Sequence, residues 1–321
     1  MANSQKPSMN KIQGIHHITC MTANPQQNLD FYTKLLGQRF VKRTVNFDDP
    51  GTYHFYYGDN VGSPGTIMTF FPWAHIAKGR RGNGETLATS YAIRPESVKW
   101  WQKWLTEHEI EHTIETRFSE QVVVLSDPED MIVELVATSD SYVPAHWENG
   151  PVPAEHALQA FHSVTLGVHD ATPTAALLTG SFGYELVGQE NNRVRFKGAG
   201  EYAQYIDLLV RPGHARGRLG AGSVHHVAFR TVDDSEQLEY MQALRSAGHM
   251  ATDVKDRQYF HSIYFREPNG TLFEVATDAP GFLYDEPVES LGAELKLPSW
   301  LEQHRPKIEE ILPEIHLDSY A

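Results

Sequence analysis

A single cysteine, Cys20, stands in 321 residues, which excludes an intramolecular disulfide framework and any metal site built from thiolates alone. No run approaches the roughly 18 consecutive apolar residues that a membrane span needs. The N-terminal stretch Met1 to Asn10 is polar and lacks the apolar segment of a secretory signal. The expectation is a cytoplasmic protein with no membrane contact. Positive charge is scarce: 27 Lys and Arg stand against 41 Asp and Glu, for a net charge of −14. Without a broad basic stripe, nucleic acid is excluded as the main partner. The one basic cluster, Lys78-Gly79-Arg80-Arg81-Gly82, reads as a solvated loop in a Gly-rich connector. There is no Gly-x-Ser-x-Gly elbow, phosphate-cradling loop or dinucleotide fingerprint; the segment 217–222 reads as a surface loop and Cys20 as a small core residue.

What is present is a core and a repeat. Hydrophobic residues make up 40% of the chain, with 15 Phe, 14 Tyr and 6 Trp, enough for two domains. Four segments share one order: a β-like run, an amphipathic helix, then three strands ending in an apolar run with one polar residue. The first opens at Ile15-His16-His17-Ile18-Thr19. Its helix has Asn24 as N-cap, Pro25 at the first helical position, an apolar face of Leu29, Tyr32, Leu35 and Leu36, and Gly37 as stop. The second opens at 88–93, carries Val98, Trp101 and Leu105 on its helix, and closes at 130–135. The third opens at Phe161-His162-Ser163 and closes at Tyr205-Ile206-Asp207-Leu208. The fourth opens at Val224-His225-His226, places Leu238, Met241 and Leu244 on its helix, and closes at Gly270-Thr271-Leu272-Phe273-Glu274-Val275. The expected class is α+β: four βαβββ modules forming two cupped eight-stranded sheets with helices outside. Residues 1–150 hold modules one and two, 151–278 hold modules three and four, and 279–321 form a strap over the outer surface. The connectors 73–87 and 139–159 are rich in Gly, Pro and charge.

Strand residues alternate faces, so one residue at each strand position of the repeat points into the cup. At the opening strand these are read as His17, Ser90, Ser163 and His226; at the closing strand, as Thr69, Glu134, Asp207 and Glu274. Taken singly, a strand histidine is more often structural than a ligand, and a Glu after Phe is equally at home on an edge or paired with Arg. If modules one and four share a cup, His17, His226 and Glu274 converge. Two imidazoles and a carboxylate on one side of an ion form a facial triad, a set suited to non-haem Fe(II), with Mn(II) chemically close. Glu134 and Asp207 read as structural remnants.

Longer motifs accompany these residues: Gly14 to Thr19, Asp30-Phe31-Tyr32, Gly37 to Thr44, Pro64 to Thr69, Phe161-His162-Ser163, His225-His226, Asp256-Arg257, Tyr264, Phe273-Glu274 and Glu289-Ser290-Leu291-Gly292. In them the chain resembles the vicinal-oxygen-chelate superfamily of glyoxalases, bleomycin-resistance proteins and extradiol dioxygenases. Within it, the chain is most similar to the hydroquinone-type ring-cleaving dioxygenases. The resemblance implies one Fe(II) per chain on His17, His226 and Glu274, with Arg257 and Tyr264 as catalytic residues and Thr19, His16 and His225 beside the substrate. It also implies a small aromatic diol and O₂ as reactants, and a homodimer. By strand parity His16 and His225 are expected to point out of the cup, and Phe55, Tyr57, Phe70 and Phe229 are candidate apolar walls. Tyr264 reads equally well as a core tyrosine, and Arg257 as a surface partner of Asp256 or Asp253. Two rival functions share the scaffold: a glyoxalase-like lyase or isomerase, which keeps two carboxylates where this chain has Thr69 and Glu274, and a metal-free aromatic-binding protein.

Overall fold

The structure, a computed structural model, describes residues 11–140 and 145–317; the stretch Met1 to Asn10 and part of the connector 139–159 lie outside them. Module one comprises β1 (Ile15–Thr22), α1 (Pro25–Asp30), β2 (Arg39–Asn46), β3 (Asp49–Gly58) and β4 (Ile67–Pro72). Module two comprises β5 (Glu85–Ile93), α2 (Val98–Glu107), β6 (His112–Arg117), β7 (Glu120–Ser126) and β8 (Ile132–Ala137). Module three holds β9 (Phe161–Val168), α3 (Ala171–Gly180), β10 (Glu185–Glu190), β11 (Arg193–Lys197) and β12 (Tyr205–Val210). Module four holds β13 (Ser223–Thr231), α4 (Asp234–Ser246), β14 (Lys255–Asp256), β15 (Phe260–Arg266) and β16 (Leu272–Pro280), and α5 (Arg305–Ile311) closes the tail.

Local chemistry accounts for the helix starts. Asn24 Oδ1 accepts from the Gln27 amide at 3.0 Å, and Pro25 follows at the first helical position. The helix then widens into a π-turn, Phe31–Leu35, that keeps Tyr32 and Leu35 buried. Gly37 ends it with φ +70, a conformation that suits glycine, and a Cβ there would meet Val152 at 2.7 Å. Helix α2 buries Val98, Trp101 and Leu105 as its spacing predicts. Helix α4 departs from expectation: it buries Gln237, Tyr240 and Leu244 and leaves Leu238 exposed. The cause is Gln237, whose amide donates to the His261 and Val275 carbonyls and turns the helix toward those strands.

The sixteen strands form two sheets of eight, ordered β14-β15-β16-β13-β1-β4-β3-β2 and β10-β11-β12-β9-β5-β8-β7-β6. The first therefore joins modules one and four, and the second joins modules two and three, so each half of the sequence is divided between both sheets. At each centre two opening strands pair antiparallel, β1 with β13 and β5 with β9, and each closing strand runs parallel to its own opening strand. Helix-side residues such as Ile18, Cys20, Phe55, Tyr57 and Phe70 join Leu29 and Tyr32 in one large apolar core, burial that supplies the main favourable term of folding. Among the described residues, no helix is long and apolar enough to cross a membrane.

The tail crosses the outside of β2. Arg39 donates to the Val288 carbonyl at 2.5 Å, and Arg43 to that of Ala293 at 2.8 Å. Lys42, with no exposed surface, bonds Asp285 at 2.6 Å and also Glu286. Phe282 packs on Tyr56 and Tyr259, with ring centroids 5.0 and 5.1 Å away.

Candidate metal centre

A repeated irregularity builds the site. Along the β1–β13 seam Ile15 faces Phe229 and His17 faces Ala228, which leaves His16 as an extra residue. Further on, Thr19 faces His226 and Cys20 faces Val224, which leaves His225 extra. Such β-bulges set two residues against one and re-aim their side chains. Strand parity therefore does not apply within either His-His pair. The Nδ1 atoms of His16 and His17 lie 2.9 Å apart, and those of His225 and His226 2.8 Å. The expectation that His16 and His225 turn away from the cup is corrected for His225, whose ring reaches the cup's cavity; His16 stands against His17 and does not. His16 also packs on Phe260, with centroids 5.3 Å apart.

The second sheet repeats the offset, with Leu87 and His162 as its extra residues. The counterpart of His17 in module two is therefore Ala88. Ser90 lies two residues further, opposite Glu134 as Thr19 lies opposite Thr69. With Ala88 and Ser163 at its ligand positions, the second cup has no imidazole to offer there. Its acids are taken by structural pairs: Glu134 with Arg117 and Ser90, both at 2.7 Å, and Asp207 with Arg195 at 2.8 Å and Arg193 at 3.1 Å.

In the first cup, one nitrogen each from His17 and His226 and one oxygen of Glu274 all lie within 4.8 Å of one another, and all three residues are buried. Glu274 Oε2 is 2.8 Å from His226 Nε2 and 3.4 Å from His17 Nε2. The shorter approach is nevertheless misaligned: neither His226 Nε2 nor Glu274 Oε2 makes a hydrogen bond of acceptable geometry. Both aim at a shared space. Ser262, on the neighbouring strand, donates to the other oxygen, Oε1, and leaves Oε2 facing the imidazoles. Burial pushes the Glu274 carboxyl up, but His17 and His226 outweigh it and hold the group well below the usual carboxylate range. Burial lowers the His226 imidazole, so a neutral ring stands beside a carboxylate. Two imidazole nitrogens and one carboxylate oxygen, two of the three orphaned in the interior, fit a divalent cation.

Beside the triad opens a cavity of about 340 Å³, within the roughly 300–1,000 Å³ usual for small-molecule pockets. Its wall includes His17, His226, His225, Tyr264 and Arg257, with Tyr56, Phe71, Trp73 and Phe260 supplying aromatic surface. His16 and Thr19 are not among the wall residues. Phe55, Tyr57, Phe70 and Phe229 face the helical core instead, one residue out of step with the wall, because the cup-facing side of those strands carries His54, Tyr56 and Phe71. Tyr264 lies directly across from Glu274 in the β15–β16 ladder. Burial, with the Glu274 charge adding to it, raises its phenol well above the ordinary value, so it stays protonated. Arg257 meets neither Asp256 nor Asp253; its Nε donates to Tyr264 Oη at 3.1 Å and its Nη2 to Asp48 at 3.0 Å.

The sequence reading passed over His54. Its Nε2 contacts Thr69 Oγ1 at 2.9 Å, Tyr56 Oη contacts its Nδ1 at 2.8 Å, and Thr69 donates to Thr19 at 2.8 Å. Thr69 holds the place a second carboxylate would take, and this chain of neutral groups satisfies it. A lone histidine mid-strand carried no spacing signal that could have found it.

The sequence profile of the Glyoxalase/Bleomycin resistance protein/Dioxygenase superfamily matches residues 14–135 and again 160–275. A candidate ring-cleaving dioxygenase of Bacillus subtilis (strain 168), MhqO, is 44% identical, the alignment covering 94% of this chain and 97% of that protein. The chlorohydroquinone/hydroquinone 1,2-dioxygenase of Sphingobium indicum is 33% identical over 91% of this chain and 93% of its own. A crystal structure of a candidate dioxygenase from Bacillus subtilis subsp. subtilis str. 168 superposes with a TM-score of 0.91 at 43% identity, covering 96% and 98% of the two chains. Glyoxalase I from Zea mays shares the fold alone, with a TM-score of 0.62 at 14% identity and coverage of 83% and 92%. On this profile and these relatives, the chain belongs to the Glyoxalase/Bleomycin resistance protein/Dioxygenase superfamily.

Proposed function

We propose that the protein is a non-haem Fe(II)-dependent, extradiol-type dioxygenase that opens the ring of a hydroquinone or a catechol, using His17, His226 and Glu274 as metal ligands. The observation that carries this reading is three buried ligand atoms converging beside an aromatic-walled cavity. When bound, the ion supplies adjacent open positions for a diol and O₂ and lowers the pKa of a coordinated hydroxyl.

The chain's own residues do the rest. A metal-binding imidazole keeps Nε2 bare, so with the ion bound the rings of His17 and His226 would carry their hydrogen on Nδ1 and donate it to His16 and His225. That contact fixes the ligand rings. It also puts the hydrogen of His225 on Nε2, where a neutral ring in the cavity wall serves as a donor; burial lowers its pKa to about 3. Tyr264, a protonated phenol, offers a second donor and a proton to oxygen atoms of the reacting molecule. Arg257 anchors a far hydroxyl or a product carboxylate. Thr19, tied to Thr69 beside the register position of His226, braces the ligand strand. Phe71, Trp73 and Phe260 exclude water and stack against a ring. The same reading makes the protein a cytoplasmic enzyme that acts as a homodimer.

The test is anaerobic reconstitution with Fe(II), then oxygen-electrode assays on hydroquinone, methylhydroquinone and catechol. His226→Ala or Glu274→Ala should lose both iron retention and oxygen uptake. Full activity in either variant would remove this mechanism. A glyoxalase-type reading is disfavoured, because Thr69, hydrogen-bonded to Thr19 and His54, offers no second carboxylate.

A further inference from the structure

Two loops from distant parts of the chain meet across the cavity mouth. The tip of the β2–β3 hairpin is Phe47-Asp48, shaped by Asn46, whose Oδ1 accepts from the Asp48 amide at 3.0 Å. Opposite it, Arg257 follows β14. Its guanidinium lies within the wall, its side chain 19% exposed, whereas that of Asp48 is 68% exposed. The guanidinium is already committed: one edge goes to Tyr264 at 3.1 Å, and Asp48 caps it from the solvent side at 3.0 Å.

The remaining wall makes this pairing decisive for a ligand's charge. His54 is tied between Thr69 and Tyr56, and the rest of the upper wall is Phe47, Phe71, Trp73 and Leu272, surface that offers an anion no counter-charge. Among the described residues, the mouth holds one cation besides Arg257, the exposed Lys255. An aromatic ring bearing a carboxylate would find Arg257 its best partner, but must first displace Asp48 and then lie beside that displaced anion. An uncharged diol meets no such opposition. Selection against a ligand by a like charge held at the binding surface is an established route to specificity.

We propose that Asp48 is a specificity-determining residue: by occupying Arg257 it reserves the cavity for uncharged diols and turns away ring-carboxylated ones. This inference rests on the proposed diol substrate. The probes are hydroquinone and 2,5-dihydroxybenzoate, compared on the Fe(II)-loaded protein by anaerobic titration calorimetry and by oxygen uptake. Asp48→Asn keeps the hairpin backbone, and Asp48→Ala serves as a second variant. In both, the affinity for the carboxylated ring relative to hydroquinone should rise roughly tenfold, the scale of one unit charge at a partly solvated mouth. Adding Arg257→Gln to Asp48→Asn should abolish that gain. A ratio that changes less than about twofold, or a gain that persists without Arg257, overturns the role of Asp48 and leaves the diol reading standing. Failure of the wild-type protein to bind or oxidise any diol overturns the substrate reading and this inference together.

Discussion

Lys42 offers the sharpest test of how the tail supports the site. Its ammonium lies 5.0 Å from the Tyr259 ring centroid, is fully buried, and is held between Asp285 and Glu286. Lys42→Met keeps the length of the side chain and removes its charge. Glu286, its side chain 1% exposed, is then left without the cation. Asp285 is better placed, since it still accepts from Tyr259 Oη at 2.9 Å and from Gln258 at 3.0 Å. Breaking a buried pair by deleting one partner costs about 3–5 kcal/mol, because an uncompensated charge remains inside. In a protein of this size that is a fall in Tm on the order of 10 °C. The loss should reach the cavity as well, because Phe282 of the same strap packs on Tyr56, a wall residue bonded to His54. Scanning calorimetry at neutral pH reads the first effect; amide exchange over residues 281–292 reads the second. Adding Glu286→Gln to Lys42→Met should recover at least half of the lost stability. If the single variant melts within about 2 °C of the wild type, the strap is not anchored by this cluster.

Two further outcomes can be checked directly. Tyr264→Phe should leave iron content unchanged and lower kcat on the order of 100-fold, the usual scale for one lost acid–base group; an unchanged kcat would show that the phenol takes no part. Glu85 is buried with neither oxygen in a well-formed hydrogen bond, and burial, only partly offset by the Gly82 backbone and Arg80, raises its carboxyl to about 7. Its folded pKa lies above the unfolded value, so the folded state holds the extra proton and stability falls as pH rises from about 4.5 to about 7, then levels off. Glu85→Gln should therefore stabilise by about 1–2 kcal/mol at pH 8, after allowance for solvent screening, and by little at pH 4. A stability difference that is flat across this window would refute the assignment.

The modules were legible because they rest on repetition, and the triad because repeat position agrees with the family motifs around it. Two openings carry His-His, and one of those two modules closes with Glu in the matching place, so position within the repeat conveyed what no single residue could. The bulges were not legible, since an extra residue in a ladder leaves no mark in a hydrophobic pattern. That one gap accounts for the misplaced orientation of His225 and for reading Ser90 where Ala88 stands. The aromatic walls failed for a related reason. In strands buried on both faces, Phe55 and Tyr56 are equally apolar in sequence, and only the helix packed on one side distinguishes them. Lys42 and Asp48 depend on contacts with residues more than two hundred positions away, beyond the reach of any local pattern.

Pairing the first module with the last has a consequence for synthesis on the ribosome. When β1 emerges, its lateral partner β13 has not been made, and the carboxylate on β16 comes later still. The nascent chain must carry a central strand with one edge unpaired, rich in Ile, His and Thr, through the translation of two entire modules, a situation that invites mispairing and holdase binding. The metal centre can form only after nearly everything else has been translated, which makes ion capture a late checkpoint on a completed polypeptide.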